Sequence, residues 1–143
     1  MPPLPVPPDV DEFLAQPNAA VIATLRPDGA PHTAATWYDW EDSRALLNME
    51  ASRVRLGYMR RDPRVSLTVL DLEQWYRQVT LMGRIVRIEE DPNLADIDRL
   101  ARRYTGREYR DRNRNSVSAW LEPERWYGWT GGRAWSATGR AAR

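Results

Sequence analysis

A serine followed by two arginines, with one residue between the arginines, is the pattern in this chain best suited to binding an anion. Ser52, Arg53 and Arg55 follow an apolar stretch, at a point where a short helix is predicted to begin. Ser52 could cap that helix, and the free N–H groups and dipole of a helix start favour a negative charge. The two guanidinium groups would add forked donors that match phosphate oxygens. The pattern therefore predicts a phosphate-binding site.

Two predicted strands flank this segment, and they should hold it in place. Ala45–Met49 is apolar, and Val65–Leu70 alternates apolar and polar residues as a half-buried strand does. The helix between them should end before Pro63, because the residue ahead of a proline avoids the α region. The charged residues near that end are expected to form an ion-pair cluster; they are Arg60, Arg61, Asp62 and Arg64. Arg53 and Arg55 could likewise form a solvated face with carboxylate partners.

Composition excludes several kinds of site. The chain of 143 residues has no cysteine and one histidine, His32, which leaves no thiolate chemistry and little material for a histidine-based metal cluster. All 21 basic residues are arginine, yet the net charge is only +1, unlike that of a strongly basic nucleic-acid-binding protein. No apolar run approaches the roughly 18 residues of a membrane helix. We expect a cytoplasmic protein without nucleic-acid or membrane partners.

Two further helices are predicted. Asp9–Ala15 should form a short helix capped by Asp9. Asp91–Tyr104 should form a longer one, capped by Asp91, with Pro92 at the first helical position and an apolar stripe along one face. The polar, arginine-rich segment Thr105–Asn115 is predicted to be a loop.

Strand patterns occupy most of the remaining chain. Arg26–Gly29 is a strong hairpin signal, because Asp-Gly tolerates the positive φ of a tight turn. Gly83 predicts a bulge or a close approach of two strands, and Pro123 predicts an edge position or a bulge. The predicted strands are Ala19–Leu25, Pro31–Tyr38, Ala45–Met49, Val65–Leu70, Tyr76–Glu89 and a last strand over Ser116–Leu121 and Arg125–Trp129, with a polar turn at Asp39–Arg44.

Five or six antiparallel strands with a helix inserted between two of them predict a mainly β domain with flanking helices, closed into a small barrel. No phosphate-binding glycine loop or internal repeat is present. We predict a proline-rich arm at residues 1–8, a single domain at 9–129 and a flexible tail at 130–143. The seven tryptophans suggest a large pocket or a subunit interface.

The order of several motifs resembles that of a known superfamily. The motifs are the strand end Ala23–Leu25, the turn Arg26–Gly29 with Pro31 after it, Arg53 and Arg55, the run Met59–Arg64, Gly83, and Glu122–Trp129. They resemble the split β-barrel, FMN-binding-protein-like fold of pyridoxamine-phosphate-oxidase-like proteins. Within it they resemble the branch that binds the deazaflavin coenzyme F-420 instead of FMN. The resemblance covers about residues 10 to 130.

The resemblance implies a homodimer with two cofactor sites in clefts between the subunits. The cofactor phosphate would lie where the helix after the third strand begins, with Arg53 and Arg55 on the family's basic positions and Arg55 replacing a more usual lysine. Tyr58 stands where asparagine is frequent. Asn48 and Met49 end the strand that lies beside the ring in relatives, and His32 is on the neighbouring strand. Trp75 and Tyr76 begin the long strand. The full set of implied cofactor-binding residues is Arg53, Arg55, Asn48, Met49, His32, Tyr58, Met59, Trp75 and Tyr76.

The implied activity is a reductase in which coenzyme F-420 supplies a hydride to an unsaturated small molecule. Such a site needs little acid–base machinery, because the protein mainly orients the reactants and excludes water. No catalytic residue is identified, and a proton donor could be a tyrosine, His32 or water.

Two alternatives remain open. An oxidoreductase of the same fold could use FMN, or the chain could be a non-catalytic module. Such a module would carry a cofactor or bind nucleic acid, since residues 102–114 mix arginine with tyrosine. Acidic residues dilute that segment, which disfavours nucleic acid.

Overall fold

The computed structural model of the chain describes residues 2–135. Within that range the strands are β1 (Ala19–Leu25), β2 (Pro31–Thr36), β3 (Asp39–Glu41), β4 (Arg44–Glu50), β5 (Arg64–Leu70), β6 (Gln78–Glu90), β7 (Ser116–Thr130) and β8 (Arg133–Ala134). The helices are α1 (Pro8–Leu14), α2 (Val54–Arg61) and α3 (Ala95–Thr105).

The eight strands form one antiparallel sheet that wraps around the core as a split β-barrel, which confirms the predicted fold class. Its order is β2-β1-β5-β6-β7-β4-β3, and β8 pairs with the end of β7. Alternating residues of each strand point inward, so that Ile22, Leu67, Leu81 and Trp126 lie side by side in the core on four neighbouring strands. Helices α1 and α2 add apolar side chains to the same core.

Strand β7 lies in the middle of the sheet, between β6 and β4. The expected edge position at Pro123 is therefore wrong, but the expected bulge is present. The register shifts between Met82 and Gly83, so Pro123 faces Gly83 while Arg125 faces Met82. Glu124 is the extra residue of this bulge, and a proline is tolerated there because a bulge interrupts the ladder of hydrogen bonds.

The helix starts differ from those predicted. Helix α1 begins at Pro8, with Pro7 rather than Asp9 at the N-cap. Helix α3 begins at Ala95, and the left-handed Leu94 (φ 59°) occupies its N-cap position. Asp91 still satisfies this helix start from three residues upstream, because its carboxylate accepts the N–H groups of Asp96 (3.0 Å) and Ile97 (3.1 Å).

Other boundaries also shift. The predicted turn at Asp39–Arg44 contains the short strand β3, and only Asp42 and Ser43, both at positive φ, make the turn. The expected charge cluster after α2 reduces to one pair within the described residues: Arg64 Nη2 lies 2.7 Å from Asp62 Oδ2. This pair lowers the pKa of Asp62 to about 2 through the hydrogen bonds that Arg64 donates.

Both ends of the described chain pack on the barrel. The N–H of Trp126 donates to the carbonyl oxygen of Pro2, and Val6 is buried in the core. Trp135, in the segment predicted as a tail, is also buried: its ring lies 5.5 Å from that of Phe13 and its Nε1 donates to Asp9. The rest of the predicted tail, residues 136–143, lies outside the described residues.

Arg103 fixes α3 against α1. Its guanidinium donates to the carbonyl oxygens of Ala15 (2.7 Å), Gln16 (2.6 Å) and Tyr38 (2.9 Å). The buried Tyr38 hydroxyl donates to the carbonyl oxygen of Leu14 at 2.6 Å. These bonds cap the end of α1 and fix the position of α3 relative to it. No helix within residues 2–135 has the length and apolar character to cross a membrane.

Candidate functional site

A cavity of about 450 Å³ adjoins the start of α2. Strands β1, β2 and β4 form one side, α3 and the loop after it form the other, and α2 closes one end. The lining residues are Ala19, Ala20, Ala35, Thr36, Trp37, Asn48, Arg55, Leu72, Ile97, Leu100, Tyr104, Tyr109 and Arg114. None of them is a carboxylate, so the charged groups that line this cavity are both cationic.

Arg55 is the cationic residue at the α2 end of the cavity. Arg53 stands at the N-cap position of α2 and Arg55 two residues later. Within residues 2–135 neither guanidinium has a carboxylate oxygen within 4 Å. Burial lowers the pKa of Arg55, and the neighbouring charges of Arg53 and Arg114 lower it further. The described residues therefore do not show the carboxylate partners of the alternative interpretation, although Arg53 is exposed to solvent.

Ser52 does not cap α2 as predicted. Its hydroxyl donates to the Glu50 carboxylate, and its N–H donates to the same group at 2.7 Å. The start of α2 thus lacks a side-chain cap. Its first N–H groups are not engaged by Ser52, which leaves the anion-attracting character of this helix start intact.

Arg114 is a second lining cation that the sequence did not single out. It comes from the loop between α3 and β7, and its Nη2 donates to Asn48 Oδ1 at 3.2 Å. Its guanidinium carbon lies 4.9 Å from the centre of the Tyr109 ring. In the sequence, residues 102–114 stand out only as a mixture of arginine and tyrosine. Nothing in the local pattern shows which of these arginines points into the cavity.

Three aromatic rings make the wall on the α3 side. Trp37 and Tyr104 stack with ring centres 5.3 Å apart and planes 7° from parallel, and Tyr109 meets Trp37 edge-on at 6.1 Å. The Tyr104 hydroxyl donates to the carbonyl oxygen of Asn18 at 2.6 Å, and burial raises its pKa. Aromatic rings held in place in this way can pack against a planar ligand.

The predicted site residues divide into three groups. Asn48 and Arg55 line the cavity, and Arg53 lies beside it. Met49 and Met59 point away from the cavity into the barrel core. Met49 points into the core because it is next to Asn48 and successive side chains of a strand point to opposite sides. Met59 does so because it is on the face of α2 that packs on the barrel.

The remaining predicted residues lie outside this cavity. The rings of His32 and Tyr58 contact each other edge-on at 5.5 Å, and His32 Nδ1 is buried without a hydrogen-bond partner among the described residues. Trp75 and Tyr76 precede β6 instead of beginning it, and they are 67% and 69% exposed. Their loop reaches the cavity through Leu72.

The described residues do not meet the requirements of a metal site. No group of three or more histidine, aspartate or glutamate side chains within residues 2–135 could hold a metal ion.

Comparison with known proteins identifies the family. The profile of pyridoxamine 5'-phosphate oxidase matches residues 6–130, which is nearly the whole domain. The chain belongs to the pyridoxamine 5'-phosphate oxidase family. The family predicted from the ordered motifs is thereby confirmed. A search of curated proteins finds no match.

Solved structures of similar fold include members whose names point to a cofactor. An F-420 reductase shares 26% identity over 81% of this chain and 94% of its own, with a TM-score of 0.75. A conserved hypothetical protein from Mycobacterium tuberculosis shares 27% identity over 89% of this chain and 86% of its own, with a TM-score of 0.72. A FAD-binding protein from Mesorhizobium loti, at 21% identity over 82% and 88% and a TM-score of 0.60, shares the fold.

Proposed function

We propose that this protein is an oxidoreductase that uses coenzyme F-420 to transfer a hydride to an unsaturated small molecule. The observation that carries the proposal is the cavity at the start of α2, where Arg55 and Arg53 have no carboxylate partner among the described residues. The similarity to an F-420 reductase over 94% of that chain supports the same cofactor class.

The residues present fit a cofactor with a flat ring and an anionic stem. Arg53 and Arg55 would hold the phosphate with the help of the open start of α2. The stacked pair of Trp37 and Tyr104 would offer aromatic contacts to the ring. A cavity of about 450 Å³ is within the range of small-molecule sites, roughly 300–1,000 Å³.

The chain's contribution to the reaction is placement and exclusion of water. When bound, a reduced deazaflavin supplies hydride chemistry from its own ring. Ile97 and Leu100 and the aromatic residues give the α3 side of the cavity an apolar lining, and the bonds of Arg103 hold that helix in position. Such pre-positioning is what a hydride transfer between two bound molecules requires of a protein.

We include a homodimer in the proposal. The outer face of β1, β5, β6 and β7 lies opposite to the core residues of the same strands and carries mostly uncharged side chains, with Arg125 as the exception in the two rows that follow. One row crosses this face as Val21, Thr68, Thr80 and Tyr127, and the next as Ala23, Ser66, Met82 and Arg125. Trp129 extends the face and is 41% exposed. A flat sheet surface of this kind is suited to pairing with a second copy.

A fluorescence titration with coenzyme F-420 tests the proposal. Wild type should bind with micromolar or tighter affinity. The double variant Arg53→Ala/Arg55→Ala should lose several kcal/mol of binding, since charge-assisted hydrogen bonds contribute about 1.5–3 kcal/mol each. Arg60→Ala is the matched control, because Arg60 is an exposed arginine on the same helix. Absence of binding by folded wild type would sink the proposal.

FMN is the alternative cofactor, because arginines recognise a phosphate whichever ring it carries. A parallel titration with FMN separates the two, and tighter binding of FMN would assign the protein to flavin chemistry. A non-catalytic module would bind the cofactor but turn over none of a broad panel of unsaturated acceptors.

A further inference from the structure

Asn48 lines the cavity, and protein partners take up most of the hydrogen-bonding capacity of its side chain. Its Nδ2 donates to Ser118 Oγ (3.1 Å) and Asp91 Oδ2 (3.4 Å). Its Oδ1 accepts from Arg114 Nη2 (3.2 Å) and lies 3.0 Å from Ser116 Oγ, whose single hydrogen is shared between Asn48 Oδ1 and Asp91 Oδ2. An amide side chain offers two donor hydrogens and two acceptor lone pairs, so both donors and at least one lone pair are in use. The side chain is 5% exposed and its orientation is fixed by these partners.

The carboxylate of Asp91 fixes the direction in which the amide points. It can only accept, so it takes a hydrogen from Nδ2 and turns Oδ1 toward Arg114. Asp91 is itself held by Ser116 Oγ at 2.9 Å and by the N–H groups at the start of α3. The buried network therefore presents one carbonyl oxygen to the guanidinium of Arg114.

Arg114 uses only part of its hydrogen-bonding capacity. Besides the bond to Asn48, its Nη1 makes a long contact with the Tyr109 hydroxyl at 3.4 Å. No carboxylate oxygen within residues 2–135 lies within 4 Å of it, and its Nε is buried without a partner among those residues. A guanidinium has five N–H donors, so several remain for a ligand. A partly buried cation left unpaired costs free energy, which an anion in the cavity would recover.

We propose that Arg114 is a third anion-binding residue of this cavity, that Asn48 is the positioning residue that aims it, and that the ligand carries more than one negative charge. The inference rests on the proposed function in that it concerns the same cavity. Arg53 and Arg55 approach from α2, while Arg114 approaches from the loop after α3. Three guanidinium groups exceed what a single negative charge requires, whereas a phosphate followed by carboxylates, or a pyrophosphate, matches them.

Glu50 is the acidic group that could compete for Arg114. Its carboxylate feels the positive charges of Arg114 and Arg53, but its hydrogen bonds go to Ser52. It lies outside the lining of the cavity. A ligand anion inside the cavity would therefore meet Arg114 without displacing an ion pair.

The test measures binding of two probes, coenzyme F-420 and sodium pyrophosphate, by titration calorimetry. Arg114→Ala should weaken binding of F-420 at least tenfold, and Arg114→Lys, which keeps the charge but loses the fork, should fall between it and wild type. The matched control is Arg102→Ala, an exposed arginine on α3 away from the cavity lining, which should change the affinity less than twofold. Binding of F-420 to folded Arg114→Ala within twofold of wild type would overturn the inference.

A double-variant cycle tests the role given to Asn48. Asn48→Ala should weaken F-420 binding in the wild-type background but have little further effect when Arg114 is already alanine. A purely structural effect would instead add in full to the loss caused by Arg114→Ala, and that outcome contradicts the positioning role. Near-ultraviolet circular dichroism establishes that each variant is folded; if Asn48→Ala is not, Ser116→Ala removes one of the bonds to Oδ1 and replaces it in the cycle.

Pyrophosphate keeps the two proposals separate. If wild type binds pyrophosphate but not F-420, the proposed function fails, and Arg114→Ala still decides the inference through its pyrophosphate affinity. An unchanged affinity, or no binding of pyrophosphate and F-420 by wild type, counts against Arg114 as an anion-binding residue.

Discussion

Gly83 and Pro123 face each other across β6 and β7 so closely that a Cβ at position 83 would lie 2.8 Å from the Cα of Pro123 and nearer still to the carbonyl oxygen of Glu122. Both obstacles belong to the backbone, which cannot turn aside as a flexible side chain can. The bulge and the glycine therefore depend on each other.

Gly83→Ala should destabilise the protein by about 1–3 kcal/mol or more, because the central strands must separate to admit the methyl group. Gly57→Ala is a matched control in α2, where a Cβ meets nothing within 4 Å. It should raise stability by about 0.5–1 kcal/mol, as alanine favours the helix. Urea denaturation measures both, and an unchanged midpoint for Gly83→Ala would contradict the close approach.

Stability above pH 10 should depend on buried tyrosines. Burial raises the pKa of Tyr38 and of Tyr104 in the folded state. A raised pKa contributes stability that is fully present below the unfolded value of about 10 and is lost as pH rises toward the folded value. The chain has no lysine or cysteine that would titrate in the same range. The free energy of unfolding should therefore fall above pH 10.

Tyr38→Phe isolates the contribution of one of these tyrosines. Loss of the hydrogen bond from its hydroxyl to the carbonyl oxygen of Leu14 should cost about 1 kcal/mol at neutral pH, and the alkaline decline should become shallower. Tyr76→Phe, at a 69% exposed position, should follow wild type. The comparison is made by urea denaturation between pH 7 and 11, and an alkaline slope equal to that of wild type would refute it.

Trp135 should be a structural residue. It is 5% exposed, packs on Phe13 and donates to Asp9, and Arg77 lies 5.3 Å from its ring. Trp135→Ala should cost about 3–5 kcal/mol. Arg133→Ala, at an exposed position of the same hairpin, should have little effect on the thermal midpoint. Equal midpoints for the two variants would mean that the segment does not contribute to the core.

The proposed subunit interface can be broken by one charge. Thr68 lies in the middle of the outer face, with its hydroxyl 2.8 Å from that of Thr80. Thr68→Arg should convert a dimer into a monomer, because an unpaired guanidinium would be buried between the two sheets. Glu12→Arg, at an exposed position of α1, should remain dimeric. Sedimentation equilibrium gives the masses, and a dimeric Thr68→Arg would place the interface elsewhere.

Sequence patterns predicted those elements whose cause is local. Strand β1 has the predicted ends, and Gly29 in the turn after it has the expected positive φ of 84°. Asn48 and Met49 lie on opposite sides of β4, one at the cavity and one in the core, as the alternation of a strand requires, although the family resemblance implied that both contact the cofactor. Met59 and Met49 were assigned to the cofactor by family position, yet both fill the core.

Features that depend on distant contacts were not predictable in the same way. Pro123 is compatible with a central strand because it lies at a bulge, where it faces Gly83. Arg114 was one arginine among several in a polar segment, and its position is set by Asn48, which is 66 residues away in the sequence. The start of α3 was misplaced because Asp91 satisfies the helix from upstream, not from the adjacent N-cap position.

The contacts of Arg103 link a helix that lines the cavity to the carbonyl groups at the end of α1. A molecule that immobilises α3 would therefore restrain a backbone segment it never touches. Slower amide hydrogen exchange at residues 14–18 would then report occupancy remotely, without a label on any residue that meets the ligand.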